Sequence, residues 1–321
     1  MNVYYATDRA TASVSPLAFG GSRDSTLHFG RTTVTFPPGH RVGEIEAPSI
    51  WRLQLREDAT RDVVVTALKP LSQNNWLGEL RTHVGQSRQH AVFLFVHGYN
   101  VTFTDAVKRT AQIAYDVRFD GPAVLYSWPS RGKVGGYVSD ETTVQTAADQ
   151  LKHTLQSIVA QTGASDVYLV AHSMGNRALT EALSRLSYEQ PGIKSHIREV
   201  VLAAPDIDAA YFRTSIAPRL PQVAQHVTLY ASSHDLALAA SKRVHSYTRA
   251  GQSGAGLLVV SHIDTIDASA ASADMLGHSY IADAGPVIED LRQLIALHRS
   301  PPERHLRTAA KDGQPYWLIA P

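Results

Sequence analysis

A serine at position 173 lies where an apolar stretch of the sequence meets a helical one. The segment VYLVAHSMGNRALTEAL begins as a buried strand and continues, just after this serine, as an amphipathic helix. A serine on so sharp a turn adopts strained backbone angles, and the turn closes only if Ala171 and Gly175, two residues to either side, are very small. Its hydroxyl is then exposed at the end of the strand, beside helix N–H groups that can stabilise an oxyanion. The pattern predicts that Ser173 is a nucleophile suited to acyl transfer.

The same junction has a plainer interpretation. Ser173 could be only the N-cap of the helix, and the small residues could serve close packing of helix on strand. A bare A-x-S-x-G pattern would favour neither interpretation. The strand before the serine and the helix after it are the context that a nucleophile requires, so the catalytic interpretation is favoured.

A second junction follows the apolar run FLFV at residues 93–96. The dipeptide His97-Gly98 comes directly after this run, and a turn there can aim the backbone N–H of Tyr99 at a substrate carbonyl oxygen. Met174, the residue after the serine, would supply the second N–H of this oxyanion hole. The alternative is an ordinary strand-to-helix turn in which His97 is a buried structural residue. We expect the oxyanion hole, because this motif occurs together with the serine turn.

Two later segments can supply the base and the acid that activate a serine nucleophile. In proteins with this order of motifs, the acid follows a late strand and the histidine follows the last one. Asp235 follows the strand-like VTLYA, and His278 lies in GHSY beyond the strand-like LLVVS. We expect His278 to take the serine proton and Asp235 to orient its imidazole. Asp206 and Asp208, in AAPDID, are alternative acids, and His262 is the alternative base.

Further side chains near these turns are candidates for a substrate pocket. Trp128, in YSWPS, leaves its strand on the same side as the serine, where an exposed indole can form a wall of an acyl pocket. Ordinary core packing explains the same tryptophan equally well. The candidate pocket residues are His97, Gly98, Trp128, Tyr137 and His172.

The sequence contains no motif for a metal or for a phosphate-bearing cofactor. HExxH, HxHxDH and GxxxxGK[ST] do not occur, so zinc hydrolysis and phosphate-loop chemistry are not indicated. The glycine-rich GQSGAG at 251–256 precedes an apolar run, which does not fit a dinucleotide loop between strand and helix. The chain has no cysteine for disulfides or thiolate sites. We expect neither a cofactor nor a bound metal.

Short β-branched runs alternate with amphipathic helical segments from about residue 86 onward. This alternation is typical of a parallel sheet covered by helices. The helical stripes are clearest at 144–159, behind a predicted N-cap at Asp140, at 179–186 and at 287–298. With the serine turn between strand and helix, the pattern predicts an α/β-hydrolase fold with a mostly parallel central sheet flanked by helices. The predicted strands are 91–96, 123–127, 167–171, 199–203, 227–231 and 257–261.

The first 85 residues have a different character. Four strand-like runs, VYYATD, TTVTF, WRLQL and DVVVTAL, are separated by stretches that contain Pro and Gly, and no helix is predicted there. We predict that residues 1–85 form an antiparallel β extension of the main sheet. Residues 86–300 are expected to form the catalytic core, and residues 301–321 a C-terminal tail. No flexible linker separates these parts, which favours one structural domain.

The overall composition is that of a soluble globular protein. The chain has 321 residues, of which 44% are hydrophobic and 18% charged, and 30 basic residues nearly balance 29 acidic ones. This balance gives no electrostatic reason to expect nucleic acid as a partner. No apolar run approaches the ~20 residues of a transmembrane helix, and no signal peptide is visible at the N-terminus. A soluble, cytoplasmic protein is expected, export with a removed leader stays open, and the oligomeric state is not indicated.

Taken together, these segments resemble a bacterial α/β-hydrolase family of largely uncharacterised, lipase-like esterases. The resemblance lies in FVHGYNVTF, YSWPS, AHSMGN, APDID, SSHDLAL and DTID with GHSY, and the opening YATDR is similar too. It extends from about residue 3 to about residue 298. It implies a carboxylic ester hydrolase in which Ser173, Asp235 and His278 form the catalytic triad.

The expected function is therefore hydrolysis of a small-molecule or lipid-like ester through an acyl-enzyme intermediate. An acyltransferase, a thioesterase or an amidase would use the same three residues. A hydrolase scaffold that only binds a ligand or partner is the alternative from a different functional class.

Overall fold

The computed structural model describes residues 1–12, 15–48, 56–233, 247–271 and 285–320. The segment WRLQL, which is predicted to be a strand, lies outside these residues. Asp235 and His278, the expected acid and base, lie outside them as well.

One continuous sheet contains all eleven strands that the described residues form. In chain order they are β1 (Asn2–Ala12), β2 (Ser15–Thr35), β3 (Val64–Leu71), β4 (Ala91–Val96), β5 (Ala123–Ser127), β6 (Asp166–His172), β7 (Ile197–Ala203), β8 (His226–Ala231), β9 (Asp264–Asp267), β10 (Arg307–Lys311) and β11 (Gln314–Leu318). Their order across the sheet is β10-β11-β9-β8-β7-β6-β4-β5-β1-β2-β3. All pairs from β11 to β1 in this order are parallel. The pairs β1–β2, β2–β3 and β10–β11 are antiparallel, so the predicted fold class is confirmed.

Helices cover both faces of this sheet. They are α1 (Gln73–Gln86), α2 (Phe103–Asp116), α3 (Tyr137–Gln161), α4 (Gly175–Glu189), the short α5 (Ala209–Tyr211) and α6 (Leu220–Val223), and α7 (Gly285–Ile295). Helices α1, α3 and α4 bury residues such as Leu80, Leu151 and Leu183 on one face. Helices α2 and α7 bury Val107 and Leu291 on the other. Because helices cover both faces of the sheet, central strands such as β4 are apolar throughout. Among the described residues, no helix is both long enough and apolar enough to cross a bilayer.

Helix α1 is not predicted by the sequence. The hydroxyl of Ser72 caps its first turn by accepting a hydrogen bond from the Asn75 N–H. Its buried residues are Trp76, Leu77, Leu80 and Val84, which form a stripe at helical spacing. The expectation of no helix in the first 85 residues is therefore wrong. Gly78 and Gly85 lie inside this segment, and glycines at such spacing are typical of loops, but neither interrupts the helix.

The strand next to β8 also differs from the prediction. The apolar run at 257–261 forms no strand, and the place beside β8 is taken by β9, which carries the sequence DTID. Leu257 and Leu258 are buried without joining the sheet. Residues 307–318, for which the sequence predicts no structure, form the hairpin of β10 and β11, and β11 pairs in parallel with β9.

A histidine between two carboxylates ties the segment after β2 to helix α2. The Nδ1 atom of His40 lies 2.8 Å from a Glu46 carboxylate oxygen, and its Nε2 atom lies 2.9 Å from an oxygen of Asp116. Burial lowers the pKa of His40, but the hydrogen bonds and charges of Asp116 and Glu46 outweigh burial and leave this pKa raised.

We predict that His40→Gln lowers the free energy of unfolding more at about pH 6 than at about pH 9. A histidine whose pKa is raised by folding contributes its full stabilisation below the unfolded value of about 6.5. That stabilisation is lost as the pH rises through the folded pKa. Urea unfolding of both proteins at the two pH values measures the difference.

The matched control is His28→Gln, because His28 pairs with Asp24 at a more exposed place. Exposed pairs contribute little, so this variant is expected to change stability less than His40→Gln does. An equal loss of stability at both pH values in His40→Gln would contradict the ion-pair account.

Candidate active site

The chain turns sharply at Ser173, between strand β6 and helix α4. Ser173 has a φ of 49°, in the left-handed region that is unfavourable for residues with a Cβ atom. Its N–H donates a hydrogen bond to the carbonyl oxygen of Ala203 at 2.9 Å. The side-chain amide of Asn176 donates to the carbonyl oxygens of Ser173 and Ala203 at 2.9 and 3.1 Å. These bonds anchor the strained turn to the end of β7.

Two glycines allow this turn to lie directly against the end of β4. A Cβ atom at Gly175 would lie 2.3 Å from the carbonyl oxygen of His97, a distance that no side chain tolerates. A Cβ atom at Gly98 would lie 3.0 Å from His172 Nδ1 and 3.1 Å from the Cβ of Ser173. The turn that carries the serine and the loop after β4 are therefore in contact, as the combination of the two motifs predicts.

The Ser173 hydroxyl is buried and has no partner within the described part of the chain. The residue has no exposed surface, in contrast to the exposed hydroxyl that the sequence predicts, and its Oγ makes no hydrogen bond to any described residue. Ser173 is also not the N-cap of α4, because Met174 occupies that position and no side chain caps the helix there. The N–H of Met174 belongs to the first turn, whose N–H groups have no partner inside a helix. The plainer interpretation of Ser173 as a cap has no support in this geometry.

The loop after β4 is fixed by His97 and Trp128. The indole N–H of Trp128 donates to the carbonyl oxygen of His97 at 2.7 Å, and the two rings stack with centroids 5.1 Å apart. The Nδ1 atom of His97 lies 2.8 Å from the carbonyl oxygen of Gly98, to which it donates. Burial, followed by the nearby Arg9, lowers the pKa of His97 well below its ordinary value, so its ring is neutral.

Asp140 connects this loop with the segment after β5. Helix α3 begins at Tyr137, so Asp140 lies in its first turn and is not the N-cap that the sequence predicts. Its carboxylate accepts hydrogen bonds from the Ser130 hydroxyl at 2.6 Å and from the Arg131 N–H at 3.0 Å. It also accepts one from the backbone N–H of Asn100. Burial raises the pKa of Asp140, and these hydrogen bonds oppose that effect.

Asp206, the alternative acid, lies beside the serine turn in a buried network. It has no exposed surface, and its N–H donates to the carbonyl oxygen of Ser173 at 3.3 Å. One carboxylate oxygen accepts from the Tyr137 hydroxyl at 2.5 Å and from Arg177 at 3.2 Å, and the other pairs with Arg249 at 3.3 Å. These two arginines are not among the site residues that the sequence predicts. Arg177 lies four residues after Ser173, one helical turn away, which is a signal that could have found it.

The other predicted site residues divide into three groups. The candidate pocket residues are all buried around the serine turn; they are His97, Gly98, Trp128, Tyr137 and His172. Trp128 has no exposed surface, so its indole is not the exposed wall that the sequence predicts. The role of these residues as substrate contacts stays a prediction. His262 precedes β9 and is exposed, so it lies at the edge of the sheet opposite to Ser173. Asp235 and His278 lie outside the described residues. The described residues contain no cluster of three or more side chains suited to a metal.

A comparison with known protein families agrees with this architecture. The family model described as "Alpha/beta hydrolase of unknown function (DUF900)" matches residues 72–297, which is more than half of the chain. Among solved structures, the chain matches the crystal structure of Aspergillus fumigatus lipase B at 12% sequence identity and a TM-score of 0.28. That match covers 45% of this chain and 38% of the lipase chain, and at this TM-score it supports no inference. The curated proteins contain no match to the sequence.

We predict that Gly175→Ala lowers the free energy of unfolding by about 1–3 kcal/mol or more, because its Cβ would meet backbone atoms that cannot move aside. Gly78→Ala is the matched control, since it also lies in a helix but has no atom within 4 Å of the added Cβ. The control is expected to raise the unfolding free energy by about 0.5–1 kcal/mol. Chemical unfolding of the three proteins measures both changes. An unchanged stability in Gly175→Ala would contradict the close contact.

Proposed function

The chain belongs to the α/β-hydrolase family of unknown function that matches its residues 72–297, and from this starting point we propose that it hydrolyses carboxylic esters with Ser173 as the nucleophile. The observation that carries the proposal is the geometry of Ser173. It combines a left-handed backbone with a buried hydroxyl that has no described partner, at the carboxyl end of a central parallel strand. Ligands of open α/β sheets bind at this edge. A purely structural role gives no reason for the strain or for a hydroxyl that lacks a partner among the described residues.

In the proposed reaction, the Ser173 oxygen attacks the ester carbonyl carbon while His278 takes the hydroxyl proton. The carbonyl oxygen becomes an oxyanion that accepts hydrogen bonds from the backbone N–H groups of Met174 and Tyr99. Collapse of this intermediate breaks the ester C–O bond, and His278 returns the proton to the leaving alcohol. Water then attacks the acyl-enzyme by the same route and releases the carboxylic acid and free Ser173.

Helix α4 favours negative charge at the proposed oxyanion position. Its N-terminus lies immediately after Ser173, so the positive end of its dipole is directed at the reacting group. The first turn of α4 contains no acidic side chain that would oppose this field. Developing negative charge on the substrate oxygen is therefore stabilised relative to the neutral ester, which is the differential binding that catalysis requires.

Asp235 remains our proposed acid, with Asp206 as the alternative. Both carboxylate oxygens of Asp206 already accept hydrogen bonds from Tyr137 or pair with an arginine. This network supports a different role for Asp206, in which it holds α3, α4 and the serine turn together. The position of Asp235 after β8 fits the usual place of the acid in this class of enzymes.

We predict that a fluorophosphonate probe labels the wild-type protein at Ser173, and that the protein hydrolyses short or medium-chain p-nitrophenyl esters. Ser173→Ala is expected to lose the label and to lower kcat by roughly a thousandfold or more. Mass spectrometry and initial rates measure the two effects. Ser184→Ala is the matched control, because Ser184 is also buried but lies farther along α4.

If the wild-type protein neither takes the label nor cleaves any ester, the hydrolase proposal is wrong and a scaffold that only binds a ligand or partner takes its place. Formation of a new ester when an alcohol is added would instead indicate an acyltransferase.

We predict that substitution of the two candidate acids affects different properties, catalysis for Asp235 and stability for Asp206. Asp235→Asn is expected to lower kcat by a somewhat smaller factor than Ser173→Ala does. Asp206→Asn is expected to lower the free energy of unfolding by about 3 kcal/mol or more, because it leaves buried guanidinium groups without their carboxylate. Ester kinetics and urea unfolding of both variants measure the difference. A large loss of kcat in a stable Asp206→Asn protein, with an active Asp235→Asn protein, would exchange the two roles.

A further inference from the structure

Arg9, near the start of the chain, is buried in the same region as Ser173. It lies on β1 and has 1% of its surface exposed. Moving a guanidinium group out of water is costly unless its N–H groups are hydrogen-bonded. Burial also lowers the pKa of Arg9 to about 10, so its side chain stays protonated near neutral pH.

The five N–H groups of the Arg9 guanidinium have five acceptors. Its Nε donates to the Ser127 hydroxyl oxygen at 2.8 Å. One terminal nitrogen donates to the carbonyl oxygens of Gly20 and Ser130 at 3.0 and 2.8 Å. The other donates to the carbonyl oxygen of Val101 at 2.8 Å and lies 3.2 Å from His97 Nε2. Every N–H of this fork is therefore used.

None of these five acceptors is a carboxylate. Within the described residues, Arg9 takes part in no ion pair, in contrast to the other fully buried arginine, Arg304, which pairs with Asp290. A neutral set of acceptors repays less of the desolvation cost than a carboxylate does. The charges of Asp8, Asp140 and Asp105 act on Arg9 from a distance and favour its protonated form. The segments that Arg9 joins directly are set by the geometry of its fork, because all five contacts are to neutral acceptors.

Two of the acceptors lie at the two ends of the loop at residues 97–101. The ring of His97 is fixed at one end, and the carbonyl group of Val101 is fixed at the other. The neutral ring of His97 donates from Nδ1 to Gly98, so its Nε2 carries a lone pair that can accept the Arg9 hydrogen bond. This Nε2 also lies 3.1 Å from the Ser127 hydroxyl oxygen and 3.2 Å from the carbonyl oxygen of Trp128. Ser130, whose carbonyl oxygen Arg9 also binds, contacts the Val101 N–H through its hydroxyl at 3.2 Å. Tyr99, the proposed oxyanion donor, lies between the two anchored ends.

We propose that Arg9 is a positioning residue that holds the loop at 97–101 so that the Tyr99 N–H meets the substrate oxyanion. This inference rests on the proposed function and assigns a role to the YATDR segment at the start of the chain. A lysine cannot replace Arg9, because an ammonium has three N–H groups around one point and cannot span acceptors on three segments. In Arg9→Lys the positive charge would remain, but the loop at 97–101 would lose its fixed position.

Esters and matched thionoesters distinguish this role from a merely structural one. A thionoester places sulfur where the ester has its carbonyl oxygen, and sulfur accepts hydrogen bonds more weakly. An enzyme with well-placed oxyanion donors therefore prefers the ester, and the ratio of kcat/KM for the two substrates reports on donor placement. General loss of folded protein lowers both rates equally and leaves the ratio unchanged.

We expect Arg9→Lys to lower kcat for the ester by roughly 10- to 100-fold with little change in KM, because the lost interaction forms in the transition state. The ester-to-thionoester ratio should fall by a similar factor. Ser127→Ala, which removes one Arg9 acceptor, should shift the ratio in the same direction by a smaller factor. This second variant carries the test if Arg9→Lys does not fold. Arg304→Lys is the control for loss of a buried arginine and should leave the ratio unchanged.

The positioning role alone is overturned if the wild-type enzyme is active and both folded Arg9→Lys and Ser127→Ala keep the ester-to-thionoester ratio of the wild type. An equal fall of the ratio in Arg304→Lys also overturns it, because the effect would then belong to any buried arginine. A wild-type protein with no esterase activity overturns the proposed function and this inference with it.

Discussion

The candidate site depends on one close contact between two stretches of backbone. Where β4 ends, the carbonyl oxygens of Val96 and His97 lie so near Gly175 that no side-chain carbon fits between them. This contact fixes the distance between the turn that carries Ser173 and the loop that carries Tyr99. Neither part can shift without the other, because packed protein interiors have low compressibility. The strained backbone at Ser173 persists since the neighbouring strands determine both ends of the turn.

Several buried polar groups also lie at the carboxyl edge of the sheet. Arg9, Asp140 and Asp206 are each almost fully enclosed, and each has several hydrogen-bond partners. Those partners come from segments that are far apart in sequence, including β1, the loops after β4 and β5, and helices α3 and α4. Satisfied networks of this kind are rigid in a low-dielectric interior, whereas a partly satisfied one is costly. The N-terminal strands therefore contribute to the site as well as extending the sheet.

The sequence predicts those parts of the structure that depend on local pattern. Strands β4 and β6 are recognisable because a strand covered on both faces is apolar throughout, and Ser173 is recognisable because its turn needs small residues at fixed spacing. Local pattern cannot decide which of two neighbouring runs pairs with β8. The sequence therefore predicts a strand at the apolar run 257–261, whereas the DTID segment forms the strand β9. The role of Arg9 is equally invisible in the sequence, since an isolated arginine is usually exposed and its partners here are set by tertiary structure.

The most direct test of the central claim is a crystal structure of the protein after reaction with a phosphonate that mimics the tetrahedral intermediate. We expect phosphorus to be bonded to Ser173 Oγ and its free oxygen to lie about 2.7–3.1 Å from the backbone nitrogens of Met174 and Tyr99. We also expect the His278 imidazole within hydrogen-bonding distance of Ser173 Oγ. An adduct on another residue, or an adduct on Ser173 whose oxygen faces neither N–H and has no histidine nearby, would contradict the central claim.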